Sequence, residues 1–182
     1  MDRHPIEARI VADQAEETST PGISEDAFKD ALARWATTVT IVAVRDGTRV
    51  HATTVSSFMP VSADPPLVLI SLGASAQVLP WLDPGASFAV SLLAEDQRRL
   101  ASVFADSYPV GPSPFADDGP PLIEGASTGL ICTVRTVIST ESDARLVLGR
   151  VESAVIAGGK DPLLYYRRDY RGMGPDDGAR DR

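Results

Sequence analysis

Two hydroxyl-rich segments are the most informative candidates in this sequence for binding a polar ligand. One segment, HATTVSSF, covers residues 51–58, and the other, SLGASAQ, covers residues 71–77. Hydroxyls, exposed backbone amides and a helix N-terminus together can bind a phosphate group without Lys or Arg. The same hydroxyls could instead bond to their own backbone, as an N-cap and at a strand end. The side chains concerned are Thr53, Thr54, Ser56, Ser57, Ser71 and Ser75.

Residues of the type that usually perform catalysis are few. The sequence has two histidines, His4 and His51, and one cysteine, Cys132. They form no Ser-His-Asp arrangement and no HExxH motif, and they are too few for a closed zinc site, so we predict no metal. Cys132 lies within an apolar strand pattern and is predicted to be a buried, inert thiol. An enzyme of this composition therefore needs a bound cofactor for its chemistry.

Composition and charge restrict the partners. The 182 residues have a mass of 19.3 kDa, which fits one domain. The formal net charge is −8 and the pI is about 4.7, which disfavours binding to nucleic acid and to anionic membrane surfaces. A single cysteine fits a reducing compartment, and no apolar run is long enough for a signal peptide or a membrane span. We therefore expect a cytoplasmic protein with neither nucleic acid nor membrane as partner.

The polar ends suggest three parts. We expect a flexible N-terminal tail over residues 1–22, one folded domain over 23–171 and a flexible C-terminal tail over 172–182. Within the domain, the Pro/Gly-rich stretch 107–121 is long enough to be a lid or a binding loop.

Helical spacing occurs in three places. A helix is predicted over 24–35, with Ser24 as its N-cap and with Phe28, Leu32 and Trp35 facing the core. A short helix is predicted over 75–82, and another over 95–105.

Strand patterns occupy most of the remaining domain, at 38–45, 48–58, 67–72, 87–93, 129–139, 145–157 and in LLYYRRDYR. Asp46-Gly47 predicts a hairpin between the first two strands. The apolar run LVLISL at 67–72 is typical of a strand buried on both faces. Because strands and helices do not alternate regularly, the pattern predicts a mainly β fold, an antiparallel barrel with a few peripheral helices.

A family resemblance covers about residues 24–171. The segment GTRVHATTVSSFMPVSADPPLVLISL resembles the signature of the flavin reductase-like family, which includes the short-chain reductase components of two-component flavin monooxygenases. Further similar segments follow in the family's order: FAVSLLAEDQ, the helix that ends in Phe104, PLIEGA, LGRV and DPLLYYRRDYR. Each segment alone is weak evidence for the family, but the whole set in this order is specific to it.

The resemblance implies an antiparallel split β-barrel of the FMN-binding, Greek-key type that works as a homodimer. It also implies FMN or FAD bound near the subunit interface, with NADH or NADPH as co-substrate. The implied function is an NAD(P)H-dependent flavin reductase that supplies reduced FMN or FAD to a separate flavin-dependent monooxygenase. Hydride transfer between bound cofactors needs positioning rather than a catalytic side chain.

Particular residues match the family's binding segments. Thr54, Val55, Ser56 and Ser57 match the strand beside the flavin ring and ribityl chain. Ser71 and Ser75 match the loop near the flavin phosphate, while Ser91 and Phe104 match two further flavin-binding positions. On the nicotinamide side the candidates are His51, Arg145, Tyr166 and Arg171.

Three residues depart from the family pattern. Ser91 stands where asparagine is common, Ala144 where many relatives have a histidine, and Ala52 where glycine is frequent. These departures predict intact flavin binding with weak NAD(P)H use. The alternative is a flavin- or ligand-binding split-barrel protein that has lost reductase activity. A pyridoxamine-phosphate-oxidase-like enzyme would use the same barrel, but the PPL and YYR motifs fit the reductase family better.

Overall fold

The computed structural model describes residues 22–105 and 113–174. Most of the two predicted tails, and the first part of the stretch 107–121, lie outside the described residues. The chain separates into two units, Met1–Leu32 and Ala33–Arg182.

The first unit contains one described helix, α1 (Glu25–Leu32). The Ser24 Oγ caps it by accepting a hydrogen bond from the Ala27 N–H at 3.3 Å, as its position predicted. The prediction that Phe28, Leu32 and Trp35 face the core from one helix is wrong. Phe28 and Leu32 are 50% and 51% exposed, and Trp35 lies beyond the end of the helix, in the second unit, and is 71% exposed. Helical spacing aligns apolar side chains on one face, but it does not supply the surface that covers them.

The second unit is mainly antiparallel β-structure, which confirms the predicted class. A seven-stranded sheet has the order β3-β2-β6-β7-β8-β5-β4, and a three-stranded sheet has the order β1-β9-β10. The strands are β1 (Thr37–Thr38), β2 (Thr40–Asp46), β3 (Arg49–Val55), β4 (Phe58–Ala63), β5 (Pro66–Leu72), β6 (Ser87–Leu92), β7 (Thr128–Ser139), β8 (Arg145–Ile156), β9 (Leu164–Tyr166) and β10 (Asp169–Arg171). Within the described ranges, no hydrogen-bonded ladder joins the outer strands β3 and β4.

The helix predictions in this unit had mixed outcomes. The helix predicted at 95–105 is confirmed as a 3-10 turn, Glu95–Gln97, followed by α2 (Arg98–Ala105). The helix predicted at 75–82 is wrong, because only a 3-10 turn, Leu79–Trp81, forms there. Pro80 lacks a backbone N–H and so does not extend an α-helical ladder.

The first hairpin is confirmed, with Gly47 at a φ of 56° in the turn between β2 and β3. The second strand ends earlier than predicted, at Val55 rather than residue 58. Ser56 and Ser57 leave the strand, and the chain crosses to the other edge of the sheet, where β4 pairs with β5. The strand pattern over 48–58 is continuous in the sequence, although the partner strand changes from β2 to β5 within it.

The core consists of two apolar clusters. One cluster includes Val42 and Val44, and the other includes Ile41 and Ala43, so β2 is buried on both faces. β6 is also buried on both faces, from Phe88 to Ser91. The same burial predicted for LVLISL at 67–72 is wrong, because β5 alternates. Its residues Val68, Ile70 and Leu72 are buried, whereas Leu67, Leu69 and Ser71 are partly exposed.

An apolar stripe lies on the face of the large sheet that is opposite the core. Leu69 pairs with Met59 of β4 and Leu148 of β8, and Leu146 of β8 pairs with Ile138 of β7. Met59 and Ile138 are 49% and 47% exposed. We call Met59, Leu69, Ile138, Leu146 and Leu148 the outer stripe.

Candidate functional site

A cleft of about 370 Å³ runs beside β3. The hydroxyl-rich segments predicted to bind a ligand, 51–58 and 71–77, form facing walls of this cleft, and the end of α2 contributes a third side. The structure therefore brings together segments that are separated in sequence. The lining residues are Ala52, Thr53, Thr54, Val55, Ser56, Ser57, Ser71, Leu72, Gly73, Ser75, Ala76, Gln77, Phe104 and Ala105.

The free edge of β3 runs along one wall of the cleft. β3 pairs with β2 along one edge, and no described strand pairs with its other edge. Side chains alternate along a strand, yet all of the residues 52–55 line the cleft. The cleft therefore follows the strand edge rather than one face. An unpaired edge offers a row of backbone N–H and C=O groups to a ligand.

The hydroxyls of the cleft divide into two groups. The Thr54 Oγ1 donates to the carbonyl of Ala101 in α2 at 2.8 Å, and the Ser57 Oγ donates to the carbonyl of Ser71 at 2.6 Å. These two bonds hold the walls in place. They join distant segments, so neither is the local bond to the residue's own backbone that was the alternative interpretation. Ser56 and Ser75 are exposed and line the cleft, and within the described ranges their hydroxyls make no protein hydrogen bond. They remain available to a ligand.

Phe104 gives the cleft an aromatic side. Its ring is buried and meets the ring of Phe115 edge-on, with centroids 5.5 Å apart. Among the described lining residues none is charged, and Gln77 provides the amide side chain. Gln77 is the last residue of the segment SLGASAQ, and it was not among the predicted binding residues. The cleft therefore presents hydroxyls, an amide, a strand edge and an aromatic ring.

Ser91 does not reach the cleft. It is buried, and its Oγ accepts a hydrogen bond from the Ile123 N–H at 2.9 Å. This bond attaches the segment around Ile123 to β6. The predicted flavin contact of Ser91 stays a prediction.

The four nicotinamide-side candidates do not line the cleft either. Tyr166 and Arg171 lie in the small sheet, where Arg171 pairs with Asp169 at 3.6 Å. The ring of His51 stacks on Trp81, a residue that the sequence reasoning did not single out. The guanidinium of Arg145 donates to the carbonyl of Ala144 at 3.1 Å. Their nicotinamide role stays a prediction.

Cys132 is buried, as predicted. Burial, followed by the negative charge of Glu152, raises the pKa of its thiol to about 12. The thiol therefore stays protonated at neutral pH and is a poor nucleophile. Within 22–105 and 113–174, no cluster of His, Cys, Asp and Glu could hold a metal ion, and no helix is long and apolar enough to cross a membrane.

Comparisons with known proteins agree on one family. The family model described as the flavin reductase like domain matches residues 32–174. The reductase component of 4-hydroxyphenylacetate 3-monooxygenase from Thermus thermophilus is 35% identical over 150 residues, which are 81% of this chain and 95% of that protein. An NADH:riboflavin 5'-phosphate oxidoreductase from Streptomyces pristinaespiralis is 36% identical over 163 residues, or 86% of this chain and 92% of that protein.

A solved structure shares the fold. The NADH:FAD oxidoreductase of Streptomyces globisporus, in complex with NAD and FAD fragments, superimposes with a TM-score of 0.73 at 30% identity. The match covers 84% of this chain and 94% of the other. The resemblance predicted from the ordered motifs is thus confirmed, and the chain belongs to the flavin reductase-like domain family.

Proposed function

We propose that this chain is a cytoplasmic NAD(P)H-dependent flavin reductase that supplies reduced FMN or FAD to a separate flavin-dependent monooxygenase. The observation that carries the proposal is the neutral cleft along the free edge of β3. Family relatives add support, because their names include NADH-dependent reductases of FMN and of FAD, and a monooxygenase reductase component.

The residues of the cleft fit a flavin. The backbone groups of β3 suit the polar edge of the isoalloxazine ring, and Phe104 offers an apolar surface beside it. Ser56 and Ser75 would bind the ribityl hydroxyls and the phosphate, and Thr54, Val55, Ser57 and Ser71 would complete the walls. Because the described lining carries no charge, we expect modest affinity, as a reductase that releases its flavin requires.

The protein's contribution to the reaction is positional. When bound, a flavin would supply the redox chemistry, with NADH or NADPH as the source of the hydride. The β3 edge and the facing wall would hold the flavin ring in one orientation. A fixed orientation of the two reactants provides much of the acceleration in a hydride transfer. A hydride transfer between bound cofactors needs no side-chain acid or base, and among the described lining residues none is a carboxylate, histidine or cysteine.

An anaerobic assay tests this function. Purified protein is mixed with NADH and either FMN or FAD, and the visible absorption of the oxidised flavin is followed. We expect the flavin to be bleached much faster with the protein present than in a mixture of NADH and flavin without it. Flavin that binds but is never bleached by NADH or NADPH would instead support the ligand-binding alternative.

We also propose that two copies associate through the outer stripe. The stripe is apolar and reaches the cleft, because Leu146 pairs with Ser71. The run LVLISL also has the composition of a strand covered on both faces, whereas the described residues of one chain cover only one face. A second copy would bury the partly exposed Leu67 and Leu69, and large apolar interfaces are typical of permanent homodimers.

Within each copy we propose that the large sheet curls into the split barrel. Its support is the hydrogen bond from the Ser57 Oγ to the Ser71 carbonyl, which joins the end of β3 to β5 across the open side.

The dimer gives a prediction about mass. Sedimentation equilibrium at micromolar concentration should give twice the chain mass of 19.3 kDa. Leu148→Arg should give the single-chain mass, because a guanidinium buried without a partner in an apolar interface is unfavourable. Asp83→Arg, in an exposed turn away from the outer stripe, is the control and should stay dimeric. A single-chain mass for the unmodified protein would contradict the proposal.

Ala144→His tests the weak nicotinamide use expected from the family pattern. Ala144 lies in the turn between β7 and β8, where its carbonyl accepts a bond from the Thr140 Oγ1 at 2.9 Å. It precedes Arg145, which pairs with Leu72 of the cleft wall, so the turn lies at the Leu72 end of that wall. A histidine able to donate one hydrogen bond should raise kcat/KM for NADH about five- to tenfold.

The flavin Kd serves as the internal control and should not change in Ala144→His. An unchanged kcat/KM for NADH would show that position 144 is not part of the nicotinamide site.

A further inference from the structure

Two contacts join the walls of the cleft, one at each end of β3. Beyond the end of the strand, the Ser57 Oγ donates to the Ser71 carbonyl at 2.6 Å. Near the start, the ring of His51 stacks on Trp81, with centroids 4.7 Å apart and 23° between the planes. His51 directly precedes Ala52 on the β3 wall of the cleft. The turn that contains Trp81 follows the facing wall, 71–77.

The ring of His51, rather than its nitrogen, makes this contact. The Nε2 atom is buried, and among the described residues it has no hydrogen-bond partner. A buried polar atom without a partner is unfavourable, so the nitrogen does not explain why the ring lies there. Stacking of two flat rings is favourable, and this pair links β3 to the turn that contains Trp81.

We propose that the His51–Trp81 stack is a positioning element that sets the separation between the β3 edge and the facing wall, and thereby the affinity of the cleft for flavin. This inference rests on the proposed function, because it assumes that the cleft binds flavin. It gives His51 a role through its ring and through Trp81, in place of the predicted contact with nicotinamide. The flavin itself would touch residues 52–57 and not His51.

The test compares variants that remove the ring with one that removes only the nitrogens. His51→Ala should weaken FMN binding about three- to tenfold, the equivalent of one aromatic pair. The KM for FMN should rise by a similar factor, while the KM for NADH stays near its original value. His51→Phe keeps a ring that can stack and should restore the FMN Kd. Arg49→Ala, an exposed change on the same strand, is the matched control.

A double-mutant cycle provides a second, independent readout. Trp81→Ala should weaken FMN binding as much as His51→Ala does, and the double variant should bind no more weakly than either single variant. Fully additive losses would overturn the proposal, since they would mean that the two rings act separately.

Several other results would also contradict the proposal. If His51→Phe is as impaired as His51→Ala and the KM for NADH rises, the imidazole nitrogen contacts the nicotinamide. If His51→Ala lowers the Tm but leaves the FMN Kd unchanged, the stack serves stability alone. If the unmodified protein fails to bind FMN or FAD in a direct titration, the proposed function fails and this inference fails with it.

Discussion

Replacing Ser56 and Ser75 together by leucine is expected to abolish measurable binding of FMN and FAD. Both serines line the cleft on facing walls, and both hydroxyls are without a protein partner within the described ranges. Two lost hydrogen bonds would weaken binding by about 100-fold, and the larger side chains also fill part of the cleft. Equilibrium titration of the purified variant with each flavin measures the effect.

Ser153→Leu is the matched control for the double serine variant. Ser153 is exposed on β8 and does not line the cleft, so this change should leave the Kd of both flavins as it was. If the double variant binds FMN and FAD as tightly as this control, the flavin site has been placed wrongly.

Gly149→Val should cause the largest loss of stability. Gly149 lies in β8, and a Cβ added there would overlap the Phe88 ring. That ring is 1% exposed in the core and has little room to move. Overpacking of this kind should lower the free energy of unfolding by about 3 kcal/mol, as measured by urea denaturation.

Gly158→Val separates this overlap from a general effect of replacing glycine. A Cβ at Gly158 would meet no heavy atom within 4 Å, so the free energy of unfolding should change little. If both variants lose the same free energy of unfolding, overlap with the Phe88 ring is not the reason that a larger residue at position 149 is destabilising.

Local sequence signals predicted much of the fold. The hairpin at Asp46-Gly47 was predictable because a short turn contains its own conformational requirement. The break between β3 and β4 was not, because Ser56 and Ser57 have no turn signature and the change of partner strand is a non-local event. The apolar run of β5 predicted burial on both faces, but within the described residues only one face is covered, because an apolar run does not specify what packs against it.

The candidate site shows the same division. The two hydroxyl segments were identified from composition alone, and the fold places them on facing walls. The position of His51 was not predictable, because its neighbour Trp81 lies far along the chain, in a 3-10 turn outside the sheet. Ser91 matched a family position, but the loop at Ile123 takes up its hydroxyl. Such tertiary contacts carry no local signature.

A crystal structure of the chain with FMN tests the central claim most directly. We expect the isoalloxazine ring to lie along the free edge of β3 at Ala52–Val55, with the phosphate near Ser56 and Ser75. Ordered FMN bound elsewhere on the protein, without contact to residues 52–57 or 71–77, would contradict it.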